Sequence, residues 1–406
     1  MSTNELSAPA APAQFAFEDL LARWGELREN NPVHHDEDQG MWRVFDHETV
    51  ARVLSDSKTF SSDFSGLTPV QEDFETFRMG NFVGMDPPNH RKLRTLVSQA
   101  FTPRTVARLE PRIRAIAGEL LDQVSGMSRF DLVDALAYPL PIIVIAELLG
   151  VPVEDRELFT KWARVLFGGD ELGESAGLDD IQRALDAISP TIREMNEYIL
   201  AHIRHHRAHP GEGLTSRLIT AELDGERLED QEIVGFVALL LVAGHITTTA
   251  LLGNAVVAFD RDPLVLPRLR ASPASLPTAL EEVLRYLPPF PELGRRTTGD
   301  VELGGHRIPA DSIVMANLAS ANRDRSQFVR PDVFDAHRNP NPHLTFGHGI
   351  HFCFGAPLAR MEGRIAFEVL FDRYRGLTVA TDEAVEFQNP AVIVSVKKLP
   401  VDVGNS

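Results

Sequence analysis

Residues 233–244 run for twelve positions without a charge and overlap the stretch LLLVAGHITTTALL (239–252), where apolar text breaks into a glycine, a histidine and three threonines before resuming. A helix that is apolar on every side has to be surrounded, by lipid or by the other helices of a large body. A membrane span needs about 20 predominantly apolar residues. Here Gln231 and Glu232 precede the run and the polar quartet interrupts it. The pattern predicts the central helix of a large helical core.

The rest of the chain supplies that core. From Pro88 to about Asp260, apolar residues recur at spacings of three and four in VARLEPRIRAIAGELLDQV, YPLPIIVIAELLG and IREMNEYILAHIRHH, punctuated at 168–180 and 209–213. Segment 41–60 reads as a strand that turns helical after His47, and a further helix covers 274–287. Short β-like pieces follow it in RTTGDVELGGHRIPADSIVMANL. With 406 residues, 43% of them hydrophobic, and no solenoid repeat, the expectation is a mainly α fold with small β-sheets. A short tail, 1–14, should precede one domain over 15–406. The start of the chain lacks the basic residues and apolar core of a signal peptide, which predicts a cytoplasmic protein. A formal net charge of -18 works against binding nucleic acid or an anionic membrane, so small-molecule chemistry is expected.

The single cysteine, Cys353, rules out an internal disulfide or a zinc site built from cysteines. It stands in FGHGIHFCFGAPLAR (346–360), where Gly347, Gly349 and Gly355 suit a tight loop that something flat could approach closely. A helix begins just after it. Backbone N–H groups and the positive helix end would favour a thiolate able to bind a metal. A lone cysteine is more often a buried structural residue, but the spacing around this one is specific.

The loop resembles the haem loop of the cytochrome P450 superfamily, Phe-Gly-x-Gly-x-His-x-Cys-x-Gly-x-x-Leu-Ala-Arg. Phe346, Gly347, Gly349, His351, Cys353, Gly355, Leu358, Ala359 and Arg360 fill each fixed place. The resemblance runs from about Trp42 to Val396 and implies the family's triangular, mostly helical prism. It implies haem b with Cys353 as the proximal thiolate on iron, where its electron donation favours O–O cleavage. His351 would bind a propionate, Phe346 would shield the sulfur, and Gly347 and Gly355 would give the haem room.

Further matches extend that implied site. His90 and Arg94 in MDPPNHRKLR match a His-x-x-x-Arg element for the propionates, and Arg295 is the expected third partner. In EEVLR, Glu282 and Arg285 share a helix face at a spacing of three, although Glu281 and Arg285 fit equally well on spacing alone. The family pattern selects Glu282, with Arg338 as the third member of that network. The central helix would cross the distal face with Ala243 and Gly244 beside the iron and Thr247 offering a hydroxyl for proton relay. Thr248 and Thr249 fit better as threonines bonded to their own helix carbonyls. Where the family carries an acid, this chain has Ile246, and His245 falls where the family tolerates many residues.

The implied activity is that of a monooxygenase that takes dioxygen, hydroxylates or epoxidises a hydrophobic metabolite, free or bound to a carrier protein, and draws NAD(P)H electrons through a separate ferredoxin and ferredoxin reductase. Arg91, Lys92, Arg104, Arg360 and Arg364 would form the docking patch. The substrate pocket would draw on Phe82 and Val83 in the loop 62–83, Leu240 and Ala243, Pro289 and Leu293, and Val392 and Ile393. A peroxide-driven enzyme would usually replace the acid and alcohol by Arg-Pro, whereas Thr247 is present, and a haem-binding sensor would need neither Gly244 nor Thr247.

Overall fold

The computed structural model describes residues 13–65, 72–167 and 178–405. Its helices follow the sequence periodicity, and each end has a local cause. Asp46 caps the helix His47–Ser55 by accepting from the Thr49 N–H at 2.9 Å. Gly150, in the left-handed region at φ 79°, ends Pro139–Leu149. The first helix, Ala13–Asn30, starts inside the expected tail, and residues 1–12 lie outside the described ones. Most of the 168–180 punctuation also lies outside them, up to the start of the helix Leu178–Ala208.

The charge-free run belongs to a helix of 31 residues, Asp230–Asp260, opened by a reciprocal capping box between Glu229 and Glu232. Length therefore does not argue against a membrane span. The helix is long and apolar enough to cross one, with a mean hydropathy of 2.0 over its best window. Packing decides instead, because 67% of that window is buried within the protein. Around it lie Glu72–Gly80, Pro139–Leu149, Leu178–Ala208, Leu276–Tyr286 and Ala356–Arg373.

One of these contacts is unusually close. A Cβ at Gly80 would stand 2.1 Å from the Phe236 nitrogen, and a Cβ at Gly235 would stand 2.3 Å from the Thr76 carbonyl oxygen. The helix Glu72–Gly80 thus rests on the central helix backbone against backbone. It also replaces much of the loop expected over 62–83.

The main sheet has five strands. Ile313–Asn317 pairs in parallel with Met41–Val44 and antiparallel with Glu292–Thr297, which pairs in turn with Phe60–Ser61, and Val33–Asp36 closes the far edge. Val44, Phe60, Val314 and Ala316 are buried, and the alternation carries Leu293 and Arg295 to the same face of their strand. Asn254 joins the central helix to the sheet side of the molecule, its Nδ2 donating to the carbonyls of Leu287 at 3.2 Å and Val394 at 2.7 Å.

Candidate active site

The loop 346–355 turns back on itself, with the Cys353 N–H donating to the Phe346 carbonyl at 2.7 Å and the Gly347 N–H to Leu344 at 2.8 Å. Two of its glycines are required by the backbone. Gly347 and Gly349 sit at φ 73° and 71°, and a Cβ on Gly349 would also stand 2.8 Å from the Ser55 Cα. Gly355 differs from the expectation. Its φ of -81° suits any residue, and nothing among the described residues lies within 4 Å of where its Cβ would be. Neither strain nor protein packing accounts for it, and the space beside it fits a bound group.

Cys353 lies just before the helix Ala356–Arg373. Burial pushes its thiol pKa up, against the pull of the Gly355 and Ala356 N–H groups and the charges of Arg94 and Arg360. Binding to a cation would resolve that opposition in favour of the thiolate.

Beside the loop, four basic side chains converge. The His90 and His351 rings are 4.4 Å apart. Among the described residues, neither ring nitrogen of His351 has a hydrogen-bond partner, nor does His90 Nε2. Burial, then the neighbouring His90, Arg295 and Arg94, lowers the His351 pKa to about 3. Arg94 donates to the Phe352 carbonyl at 2.7 Å. Buried Arg295 donates to the carbonyl of its own neighbour, Gly294, at 2.8 Å, and Asp86 is the acid whose charge acts on it. Buried donors without acceptors are costly, and like charges grouped this way call for an anion. A planar group with two carboxylates, as haem b is, fits this donor set together with the thiol and the open face at Gly355.

The central helix faces the same region. Leu240, Ala243, Gly244 and Thr247 form an open stripe at the spacing of a single helix face, Ala243 exposed and the others half-buried, and Val242 and Ile246 are half-buried to one side of it. Gly244 also packs against a neighbouring helix, since a Cβ there would stand 2.9 Å from Ile145 Cδ1, the mobile end of a side chain that would have to shift. The hydrogen bonding of the threonines differs from the expectation. Thr247 Oγ1 donates to the Ala243 carbonyl at 2.7 Å, whereas buried Thr249 Oγ1 has no partner among the described residues. His245 is buried edge-on against the Tyr138 ring, 4.4 Å away, and burial lowers its pKa to about 4.

Behind the cysteine loop, Glu282 and Arg285 are fully buried and joined by two hydrogen bonds of 2.7 and 2.8 Å. Arg338 reaches both Glu282 oxygens at 3.0 Å, Asn341 adds a bond at 3.2 Å, and the Asp335 N–H adds one at 2.9 Å. Glu281 has a separate set of partners that sequence reasoning missed. It takes two bonds from Arg360 at 2.7 and 2.8 Å and faces His343 Nε2 at 3.2 Å. These contacts overcome the cost of its burial and hold its carboxyl at about 2. Spacing could not have shown this, since Arg360 is 79 positions away along the chain.

The expected docking patch is thinned accordingly. Arg360 is committed to Glu281, Arg364 to Glu110 and Glu368, and Lys92 to Glu226. Arg91 and Arg104 remain exposed, with no acid partner among the described residues. Of the expected pocket residues, Val83 and Val392 are each 50% exposed, and Leu293 and Ile393 are half-buried. Phe82 and Pro289 are instead buried. The Phe82 ring lies within 6.1 Å of His90, Phe236 and Phe354, and the Pro289 carbonyl accepts from the Val394 N–H at 2.8 Å.

Comparison with known proteins bears on the family and the fold. The family model described as Cytochrome P450 matches residues 34–272 and 275–403. The chain is 43% identical over 398 residues to the erythromycin C-12 hydroxylase of Saccharopolyspora erythraea, covering 96% of each protein. It is 41% identical over 373 residues to the cyclomarin C epoxidase CymV of Salinispora arenicola, covering 92% of this chain and 93% of that one. Among solved structures, the open cytochrome P450 Eryk from S. erythraea superposes with a TM-score of 0.87 at 41% identity, covering 96% of each chain. HmtT, involved in himastatin biosynthesis, gives 0.84 at 46% identity over 92% of this chain and 94% of its own. A family match across almost the whole chain, close relatives that hydroxylate and epoxidise, and the same fold in solved members make this chain a cytochrome P450 monooxygenase.

Proposed function

We propose that this enzyme holds haem b with Cys353 as the axial thiolate and His90, Arg94, Arg295 and His351 on the propionates, and hydroxylates or epoxidises a bulky apolar secondary metabolite. The observation that carries the assignment is the convergence of four basic side chains, with orphaned ring nitrogens on two of them, beside the chain's only thiol. When bound there, the haem supplies dioxygen activation, helped by electron donation from the sulfur. The protein's own work is positional. Gly347 and Gly349 shape the loop, Phe346 backs it, and the Glu282 network fixes the wall behind it.

Because the Thr247 hydroxyl donates its proton to Ala243, it can only accept from a molecule in the open stripe, which orients a water there as a donor. Ile246 can neither hold nor move a proton. Proton delivery therefore rests on Thr247 Oγ1, water and any polar group the substrate brings.

The size of the substrate is argued from the mouth of the site. Met79, Val83, Phe290 and Val392 are large apolar residues left 39% to 50% exposed on elements that frame the central helix. Relatives named for erythromycin and cyclomarin C support a substrate of that scale. Electrons would come from NAD(P)H through a ferredoxin and its reductase, in the cytoplasm. The test is the carbon monoxide spectrum of the reduced protein, followed by product formation. Wild type should give the red-shifted thiolate band and Cys353→Ser should lose it. Turnover should need ferredoxin, reductase and NADPH, and turnover driven equally well by hydrogen peroxide alone would overturn the electron route.

A further inference from the structure

Glu281 and Arg360 form a unit that the assigned site does not use. The Arg360 guanidinium is gripped by both Glu281 oxygens, at 2.7 and 2.8 Å, and lies 4.4 Å from the Phe346 ring centroid. A planar, bidentate grip of this kind fixes the cation's position as well as its charge. Phe346 is the residue whose carbonyl accepts from the Cys353 N–H. Glu281 is anchored in turn by His343 Nε2 at 3.2 Å, and the His343 side chain is only 3% exposed. The held charge therefore lies against the one residue of the loop that is hydrogen-bonded to the cysteine backbone, at 2.7 Å.

We propose that Glu281 is a positioning residue that holds Arg360 against Phe346, and that the guanidinium so placed sets the electron affinity of the haem-thiolate site instead of serving in the encounter with a redox partner. This rests on the reading of Cys353 as the haem ligand. A fixed positive charge near the sulfur favours the form of the site that holds one more electron, through a Coulomb attraction that the partial exposure of Arg360 weakens without abolishing. An arginine on a docking surface would be free to meet an acidic partner, whereas this one already has its carboxylate.

The test is a redox titration of the haem-loaded protein, with the carbon monoxide band recorded for every variant and the KM measured for a [2Fe–2S] ferredoxin. Arg360→Met removes the charge at similar length, and should shift the reduced-to-oxidised ratio at a fixed potential about three- to tenfold toward oxidised. Arg360→Lys and Glu281→Asp each keep the charge but lose the grip, so both should shift the ratio in the same direction by a smaller factor. The ferredoxin KM should stay within about twofold in all three, because the pair is not presented for docking. If Arg360→Met does not retain haem, the two charge-conserving variants carry the test. An unchanged ratio, or an unchanged ratio with a KM raised several-fold, overturns the proposal while the thiolate band persists. Loss of that band from wild type would instead remove the reading of Cys353.

Discussion

Two adjacent glutamates show what a single side chain is worth here. Glu282→Ala would leave Arg285 and Arg338 buried without their anion, a loss of about 3–5 kcal/mol. Glu281→Ala opens a pair whose arginine is 39% exposed, and exposed pairs contribute about 0–1 kcal/mol. Haem retention and the urea midpoint should therefore fall much further for Glu282→Ala, and equal losses would mean that the buried triad is not what braces the loop. Glu362 behaves in the opposite sense. It is fully buried, its Oε2 has no partner among the described residues, and burial raises its pKa from 4.5 to about 8. The folded state then binds more protons than the unfolded one across that window, so this carboxyl lowers stability as pH rises through it. Glu362→Gln should stabilise the protein by on the order of 2–4 kcal/mol at pH 8, with the gain vanishing toward pH 4. A constant difference across urea melts from pH 4 to pH 8 would refute this.

At the scale of the element, the central helix was legible as a buried core helix from its missing charges, and the strands at 292–317 were legible from their turns. The disposition of its threonines was not. Which hydroxyl turns inward depends on the rotation of the helix against its neighbours, and that rotation is set by contacts such as Ile145 against Gly244. Similarly, spacing suggested a glutamate–arginine pair within Leu276–Tyr286 but could not show that Glu281 turns to a different helix. The observed orientation gives a sharper expectation for Thr247→Ala. With the only hydroxyl on the open stripe gone, peroxide formed per NADPH consumed should rise several-fold, and the rise should be largest with poorly fitting substrates. Unchanged coupling would show that protons arrive by another route.

Over the whole molecule, a net charge of -18 makes local exceptions matter. Arg91 and Arg104 keep exposed charges without acid partners among the described residues, so they are the positions expected to steer a negatively charged ferredoxin. Arg91→Ala and Arg104→Ala should each slow ferredoxin-driven reduction at low ionic strength. The effect should fade above about 0.1 M salt, where the screening length is about 10 Å; a deficit that persists in high salt would point to lost packing instead. The contact between Gly80 and Gly235 bears on how such an enzyme can change over generations. Neither position accepts even a methyl group without moving the segment above it, so gradual substitution has no small steps available at that junction. A lineage adapting to a different metabolite would have to record the change elsewhere on the rim, at side chains such as Val83 and Val392 that end in open space, while the two glycines stayed silent through its history.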